Sequence, residues 1–141
     1  MVYVDTSAIV ALIVNEPSSA AVAKWYGGTK AELVSAAWCV PEFASALGIK
    51  QRMGQLDAVQ AKQAWERFER LVSNDLKLLP VEPADFHRAA VMTLDAGSAL
   101  RAGDALHLAC AEHAQAKSMA TLDTVLARNA QRFKIKPVAF A

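Results

Sequence analysis

The chain has 141 residues, of which 54% are hydrophobic, and a formal net charge of +1. This length suits a single domain over residues 1–141 with a sizeable core, and the apolar composition excludes a disordered chain. The near-neutral charge excludes nucleic-acid binding through overall charge, so such binding would need a local basic patch. No apolar run is long enough to cross a bilayer and no signal peptide is evident, so we expect a cytoplasmic protein without a membrane role.

Short apolar segments alternate with helical patterns along the chain. Helix starts are marked by capping residues and prolines, and helix bodies by apolar residues near the 3.6-residue period. In chain order, the predicted elements are a strand at 2–4, helices at 8–14 and 18–26, a strand at 33–36, helices at 41–52 and 56–72, a strand at 76–81, a helix at 83–94, a helix within 100–114, a strand at 118–121, a helix at 123–130 and an edge strand at 137–140.

Strands that alternate with helices predict a sheet covered on both faces. We therefore expect an α/β fold, a three-layer α/β/α sandwich around a mostly parallel sheet of four or five strands. Cys39 and Cys110 lie in apolar patterns and are expected to be reduced and buried.

Four acidic residues follow predicted strands or begin predicted helices. In chain order they are Asp5 after the first strand, Glu42 in the helix after the second, Asp104 in the helix within 100–114, and Asp123 after the fourth strand. Ligands of open α/β sheets bind beyond the carboxyl ends of the strands. We therefore expect the four carboxylates to face one rim of the sheet.

Each acid also has a simpler interpretation, because carboxylates at helix N-termini cap free N–H groups and complement the helix dipole. For any one of them alone, capping is favoured over catalysis. Asp123 is the weakest functional candidate, and Asp5 is the strongest because Thr6 and Ser7 could cap the same helix. The coincidence of four acids at one edge favours a shared site.

Carboxylates gathered in one pocket repel one another, and a divalent cation removes that conflict. Mg²⁺ and Mn²⁺ prefer oxygen ligands, whereas the sequence offers no well-spaced cluster of His and Cys for Zn²⁺. The acids therefore predict a site for Mg²⁺ or Mn²⁺.

Four short motifs resemble those of a known family. DTSA begins at Asp5, a Pro41-Glu42 pair begins a helix, RAGDALHLA surrounds Asp104, and ATLD ends at Asp123. In this order and spacing, from end to end of the chain, they resemble the PIN-domain ribonucleases. Among these, the match is to the VapC-like toxins of bacterial and archaeal toxin–antitoxin modules.

The resemblance implies a metal-dependent endoribonuclease that hydrolyses RNA and leaves 5′-phosphate and 3′-hydroxyl ends. The positions that match the family's catalytic, metal-binding acids are Asp5, Glu42, Asp104 and Asp123. The implied partners are an RNA substrate, a VapB-like antitoxin and a second copy of the chain in a homodimer.

Three further positions match supporting residues of that family. Thr6 matches the hydroxyl residue that helps to position ligands or metal-bound water, and Thr121 matches the hydroxyl position before the fourth acid. Arg101 matches a recurrent basic residue before the third acid, without a catalytic role.

His107 lies three residues after Asp104 and therefore near it on a helix. It could act as a general base, but a packed histidine that bonds a neighbouring element is favoured. The apolar stripe of Trp65, Phe68 and Leu71 predicts core packing, and an antitoxin interface is its second interpretation.

A basic run near the C-terminus contains Arg128, Arg132, Lys134 and Lys136. A solvated face is the default interpretation of such a run, and contact with an RNA backbone is the alternative, which would make binding depend on salt.

Two other functions remain open. A haloacid-dehalogenase-like phosphatase also places an aspartate after its first strand, but it needs a second aspartate two residues later, where this chain has Ser7. A non-catalytic module of the same fold could bind RNA or protein, but it would not need all four acids.

Overall fold

Five strands and seven α-helices make up residues 1–140, the part of the chain that the computed structural model describes. The strands are β1 Val2–Val4, β2 Leu33–Ala36, β3 Leu76–Leu79, β4 Ser118–Ala120 and β5 Lys136–Pro137. The helices are α1 Thr6–Ile13, α2 Ser19–Gly28, α3 Cys39–Arg52, α4 Ala58–Asn74, α5 Pro83–Leu94, α6 Ala102–His113 and α7 Thr124–Arg132. A 3-10 turn at Ala96–Ser98 precedes α6.

The strands form one sheet in the order β3-β2-β1-β4-β5, and each neighbouring pair is parallel. Tyr3 of the central strand packs among α5, α6 and α7, whereas Val2 and Val4 pack among α1, α3 and α4. This alternation follows from the two-residue period of a strand, which sends successive side chains to opposite faces. The predicted three-layer α/β/α sandwich is confirmed, with five strands.

The predicted ends of two strands were wrong. The strand predicted at 76–81 ends at Leu79, because Pro80 has no N–H with which to continue a ladder. The last strand is Lys136–Pro137 rather than 137–140, although the Val138 N–H still donates to the Met119 carbonyl at 2.8 Å.

Helix starts also differ from the sequence-based expectation. The fourth helix begins at Ala58 and not at residue 56, because Asp57 forms a capping box with Gln60. The third begins at Cys39, which leaves Pro41 in its first turn. The 3-10 turn at Ala96–Ser98, capped by the Asp95 side chain, was not predicted.

The stripe on α4 belongs mainly to the core. Phe68 is 2% exposed and stacks on Phe43 of α3 with ring centroids 4.5 Å apart, and Trp65 stacks on Phe68 at 5.3 Å. These rings pack α4 against α3, the helix that carries Glu42. Core packing therefore holds in place the helix that brings this acid to the sheet edge.

The two cysteines are free and buried in opposite layers of the sandwich. Cys39 packs with α1 and α4, and Cys110 packs with α5 and α7. None of the helices within residues 1–140 combines the length and the apolar character that a bilayer crossing requires.

Replacing Phe68 by alanine tests the packing that holds α3 against α4. We expect the free energy of unfolding to fall by about 3–5 kcal/mol, because apolar transfer energy is lost and a cavity remains. Denaturant unfolding followed by tryptophan fluorescence measures this change. Val59→Ala is the control, since Val59 lies on the same helix as Phe68 but is 65% exposed, and its truncation should change stability by no more than about 0.5 kcal/mol. Equal losses in both variants would contradict this account of the core.

Candidate active site

The candidate site lies at the carboxyl ends of β1 and β4, where the topology changes direction. Because β1 pairs with β2 on one side and with β4 on the other, a crevice forms beyond its carboxyl end. Asp5 follows β1 directly, and its N–H donates to the carbonyl of Ala120 in β4 at 3.0 Å. The side chain of Asp5 is therefore placed between the two strands and is 3% exposed.

Asp5 is held by donors from two parts of the chain. Its Oδ1 accepts from Ser7 Oγ at 2.7 Å and from the Ala8 N–H at 3.1 Å, and its Oδ2 accepts from Thr121 Oγ1 at 2.7 Å. Burial raises the pKa of Asp5, while the nearby imidazole of His107 and these hydrogen bonds oppose the rise. The carboxylate is thus fixed in position at a desolvation cost.

Asp5 is also the N-cap of α1, in keeping with the capping interpretation of each acid taken alone. Thr6 and Ser7, the other possible caps in the sequence, both lie inside the helix, and Ser7 donates to Asp5 instead. The backbone of Asp5 is still extended as it leaves β1, so it is the residue in the capping position. Capping and a functional role are therefore compatible at this position.

Glu42 lies in the first turn of α3 and is held through one oxygen. Its Oε1 accepts from Thr6 Oγ1 at 2.6 Å and is also bonded to His107 Nε2. Burial by itself raises the pKa of Glu42, but the hydrogen bond from His107, together with the Thr6 hydroxyl and the nearby Trp38 indole N–H, outweighs burial and lowers it. Glu42 is therefore held as a carboxylate anion.

Asp104 differs from the other acids because its side chain makes no hydrogen bond within residues 1–140. It lies half-buried in the first turn of α6. Burial raises the pKa of Asp104, and the negative charges of Asp123, Asp5 and Glu42 raise it further. Asp104 therefore lies within electrostatic reach of the other three acids.

Asp123 is the N-cap of α7, and its Oδ1 accepts from the Leu126 N–H at 3.0 Å. Thr121 connects it to the first acid, since Thr121 Oγ1 accepts from the Asp123 N–H at 3.0 Å and donates to Asp5. Arg101 is exposed at the N-cap position of α6 and caps nothing with its side chain. Of the three predicted supporting residues, Thr6 and Thr121 form hydrogen bonds with the acids. Arg101 lies at the rim of the site and does not.

The side chains at this edge offer carboxylate and hydroxyl oxygens, which suit a hard divalent cation. The negative charges of the neighbouring carboxylates also raise the pKa of Asp104, and a bound cation would relieve that repulsion. The side chains are spread apart, however. Among residues 1–140, no three Asp, Glu, His or Cys side chains are gathered closely enough to enclose a metal ion. Asp5 and Glu42 are instead turned toward their own hydrogen-bond donors.

Sequence reasoning missed three contributors to the site. Ser7 donates to Asp5, Tyr3 bonds His107 Nδ1 at 2.6 Å, and the buried indole Nε1 of Trp38 lies beside Glu42 without a hydrogen-bond partner in the described residues. The phenol of Tyr3 could have indicated such a contact in the sequence, since a tyrosine in a buried central strand needs a hydrogen-bond partner for its hydroxyl. His107 is the packed histidine that was favoured over a general base.

Comparison with known proteins gives the family. The sequence model of the PIN domain matches residues 2–131, and the chain therefore belongs to the PIN domain family. A search of curated proteins found no significant match.

Solved structures share this fold at low sequence identity. VapC20 of Mycobacterium tuberculosis, a toxin that cleaves the sarcin–ricin loop, is 13% identical with a TM-score of 0.75, over 92% of this chain and 95% of that chain. FitAcB of Neisseria gonorrhoeae is 18% identical with a TM-score of 0.73, over 99% and 97%. VapBC2 of Rickettsia felis, bound to a DNA fragment from its promoter, is 10% identical with a TM-score of 0.67, over 100% of both chains.

Asp104→Asn tests the crowding of negative charge. A raised pKa means that the folded state holds the proton more tightly than the unfolded state, so the stability contributed by Asp104 is lost as pH rises through that value. At neutral pH in EDTA the variant should therefore be more stable than the wild type, by about 0.5–2 kcal/mol. The difference should disappear at an acid pH below the ordinary carboxyl pKa, where both states are protonated.

Thermal unfolding at the two pH values measures this difference. Glu66→Gln is the control. This substitution removes the same formal charge, but Glu66 is exposed on α4, far from the sheet edge. An Asp104→Asn variant that is less stable than the wild type at neutral pH in EDTA would contradict the crowding.

Proposed function

We propose that this chain is a divalent-metal-dependent endoribonuclease of the PIN fold, acting as the toxin of a toxin–antitoxin pair in the cytoplasm. Residues 1–141 would form its single domain. The observation that carries the proposal is the placement of the acids at the carboxyl edge of β1 and β4: Asp5 directly follows β1, Asp123 follows β4, and Asp104 lies in the first turn of α6, where the negative charges of the other acids help to raise its pKa. Membership of the PIN domain family supports the same conclusion.

Asp5, Asp104 and Asp123 would hold Mg²⁺ or Mn²⁺, with Glu42 completing the set of ligands or orienting the attacking water. A bound divalent cation supplies positive charge opposite a phosphate and lowers the pKa of coordinated water. The chain's own contribution is to hold the acids in place: Thr121 and Ser7 fix Asp5, and Thr6 fixes Glu42. Hydrolysis by water leaves 5′-phosphate and 3′-hydroxyl ends, because no attack by the RNA 2′-hydroxyl is needed.

Contact with RNA would come from local basic side chains, since the net charge is only +1. Arg101 is exposed at the N-terminus of α6, three residues before Asp104, and forms no ion pair in the described part of the chain. Of the C-terminal basic run, Arg132 pairs with Asp95 at 3.2 Å and Arg128 donates to the Ser98 carbonyl. Arg101 is therefore the better placed candidate for a phosphate contact.

The protein partners follow from the same proposal. An antitoxin would cover the acidic edge, where a basic side chain would find partners in the crowded carboxylates. Large apolar side chains remain exposed on α5, where Phe86 is 53%, Val91 45% and Leu94 83% exposed. A second copy of the chain in a homodimer would give this face a partner, since a helix face with several large apolar residues is costly to leave in water.

Asp5→Asn tests the nuclease directly. We expect Mg²⁺-dependent RNA cleavage by the purified chain to fall at least about 100-fold, beyond the 10- to 100-fold usual for the loss of an outer partner. EDTA should abolish wild-type cleavage, and added Mn²⁺ should restore it. Asparagine still caps a helix, so the fold should persist.

Asp57→Asn is the matched control, because Asp57 caps α4 in the same way but lies far from the sheet edge. It should cleave like the wild type, while any cleavage left in Asp5→Asn purified identically and insensitive to EDTA would reveal a contaminating ribonuclease. An Asp5→Asn variant that is folded and still cleaves would overturn the assignment. If Asp5→Asn is inactive, mapping the cut sites in cellular RNA after expression of the wild type without antitoxin would identify the RNA target.

A non-catalytic binding module is the second candidate, and one observation favours it. Within residues 1–140, no three acidic, His or Cys side chains are gathered as a preformed metal site. Binding of RNA without cleavage, and without any change on adding EDTA, would support this alternative. Metal-dependent cleavage excludes it.

A further inference from the structure

A chain of hydrogen bonds runs from the interior of the sheet to the candidate site. The Ala36 N–H donates to Tyr3 Oη at 3.1 Å, Tyr3 Oη lies 2.6 Å from His107 Nδ1, and His107 Nε2 is bonded to Glu42 Oε1. Tyr3 is 0% and His107 1% exposed, so water does not compete for these bonds. The chain of bonds joins β2, β1, α6 and α3 through buried polar groups.

The donors and acceptors fix the direction of these bonds. A backbone N–H only donates, so Tyr3 Oη accepts from Ala36 and its own proton points to His107 Nδ1. Nδ1 is then an acceptor, and the proton of a neutral imidazole lies on Nε2, where the Glu42 carboxylate accepts it. The Glu42 carboxylate can only accept, so it requires the proton on Nε2 independently of Tyr3.

The arrangement leaves Glu42 with one engaged oxygen and one free oxygen. Oε1 is bonded by Thr6 and His107, whereas Oε2, among the described residues, has only the Trp38 indole N–H nearby, which helps to lower the pKa of Glu42. Oε2 lies against Gly103, where an added Cβ would come within 3.2 Å of it. Glycine at this point of α6 therefore leaves room for the free oxygen beside Asp104.

We propose that His107, held with its proton on Nε2 by Tyr3, is a positioning residue that clamps Glu42 Oε1 and presents Oε2 to a divalent cation. This inference rests on the proposed function of the site. His107 is not a general base, because both ring nitrogens are engaged and the ring is buried away from any substrate. Tyr3 acts one step further back, by fixing the ring of His107.

The position of the proton can be measured without metal or substrate. In the metal-free protein with ¹⁵N-labelled histidine, NMR should show His107 with its proton on Nε2 and with Nδ1 as an acceptor. Tyr3→Phe should shift the Nδ1 resonance of His107, because its donor is lost. Tyr26→Phe is the matched control, since Tyr26 bonds Asp75 at the surface, and it should leave that resonance unchanged. A proton on Nδ1 in the wild type, or an unchanged resonance in Tyr3→Phe, overturns the proposal.

Binding of Mn²⁺, followed by calorimetry, tests the positioning role. His107→Leu should weaken binding about 10- to 100-fold, the range for outer partners of metal ligands, and Tyr3→Phe should weaken it by a smaller factor. His107→Gln keeps an N–H near the position of Nε2 and should restore most of the affinity. His113→Gln is its control, because His113 bonds Asp85 on the exposed side of α6.

Each result bears on one of the two proposals. Equal weakening of Mn²⁺ binding in His107→Gln and His107→Leu, or wild-type affinity in both His107→Leu and Tyr3→Phe, shows that His107 is only a structural residue and overturns the positioning role. If His107→Leu does not fold, the comparison of Tyr3→Phe with Tyr26→Phe decides the same question. A wild type that binds no Mn²⁺ overturns the proposed function, while the NMR result still decides the direction of the hydrogen bonds.

Discussion

The buried carboxylate of Asp5 is the constraint on which the rest of the site depends. A buried charge is costly unless hydrogen bonds satisfy it, and Asp5 receives them from Ser7, the Ala8 N–H and Thr121. Thr121 is 116 residues away in the chain. Satisfying one carboxylate therefore joins the start of α1 to the segment after β4, at the point where the sheet topology opens a crevice.

Helix α6 serves both the core and the site. Seven consecutive residues from Ala105 to Ala111 are buried, so the helix is fixed between the sheet and its neighbours. Its first turn carries Asp104 to the crowded edge, where burial and three like charges act against its ionisation. Rigid packing of one part of the helix thus compensates for an unfavourable charge at its end, and a cation would remove that penalty.

Two of the four acids of the candidate site are also helix caps. Asp5 and Asp123 both cap helices that follow strands, so each satisfies a backbone N–H group while its carboxylate lies at the sheet edge. Capping and membership of the candidate site, which the sequence alone presents as alternatives, are therefore compatible in the structure. Among Asp5, Thr6 and Ser7, the cap is Asp5 because its backbone is still extended where the chain leaves β1.

The sequence by itself determined the alternation of strands and helices, the three layers and the placement of acids after strands, because periodicity and caps depend on near neighbours along the chain. Only the tertiary structure decided which donors hold each acid. Tyr3 and His107 are 104 residues apart, and His107 and Glu42 are 65 apart, so their contacts exist only once α6 and α3 have packed against the sheet. The strand ends, likewise, depended on hydrogen bonds to neighbouring strands that no local pattern records.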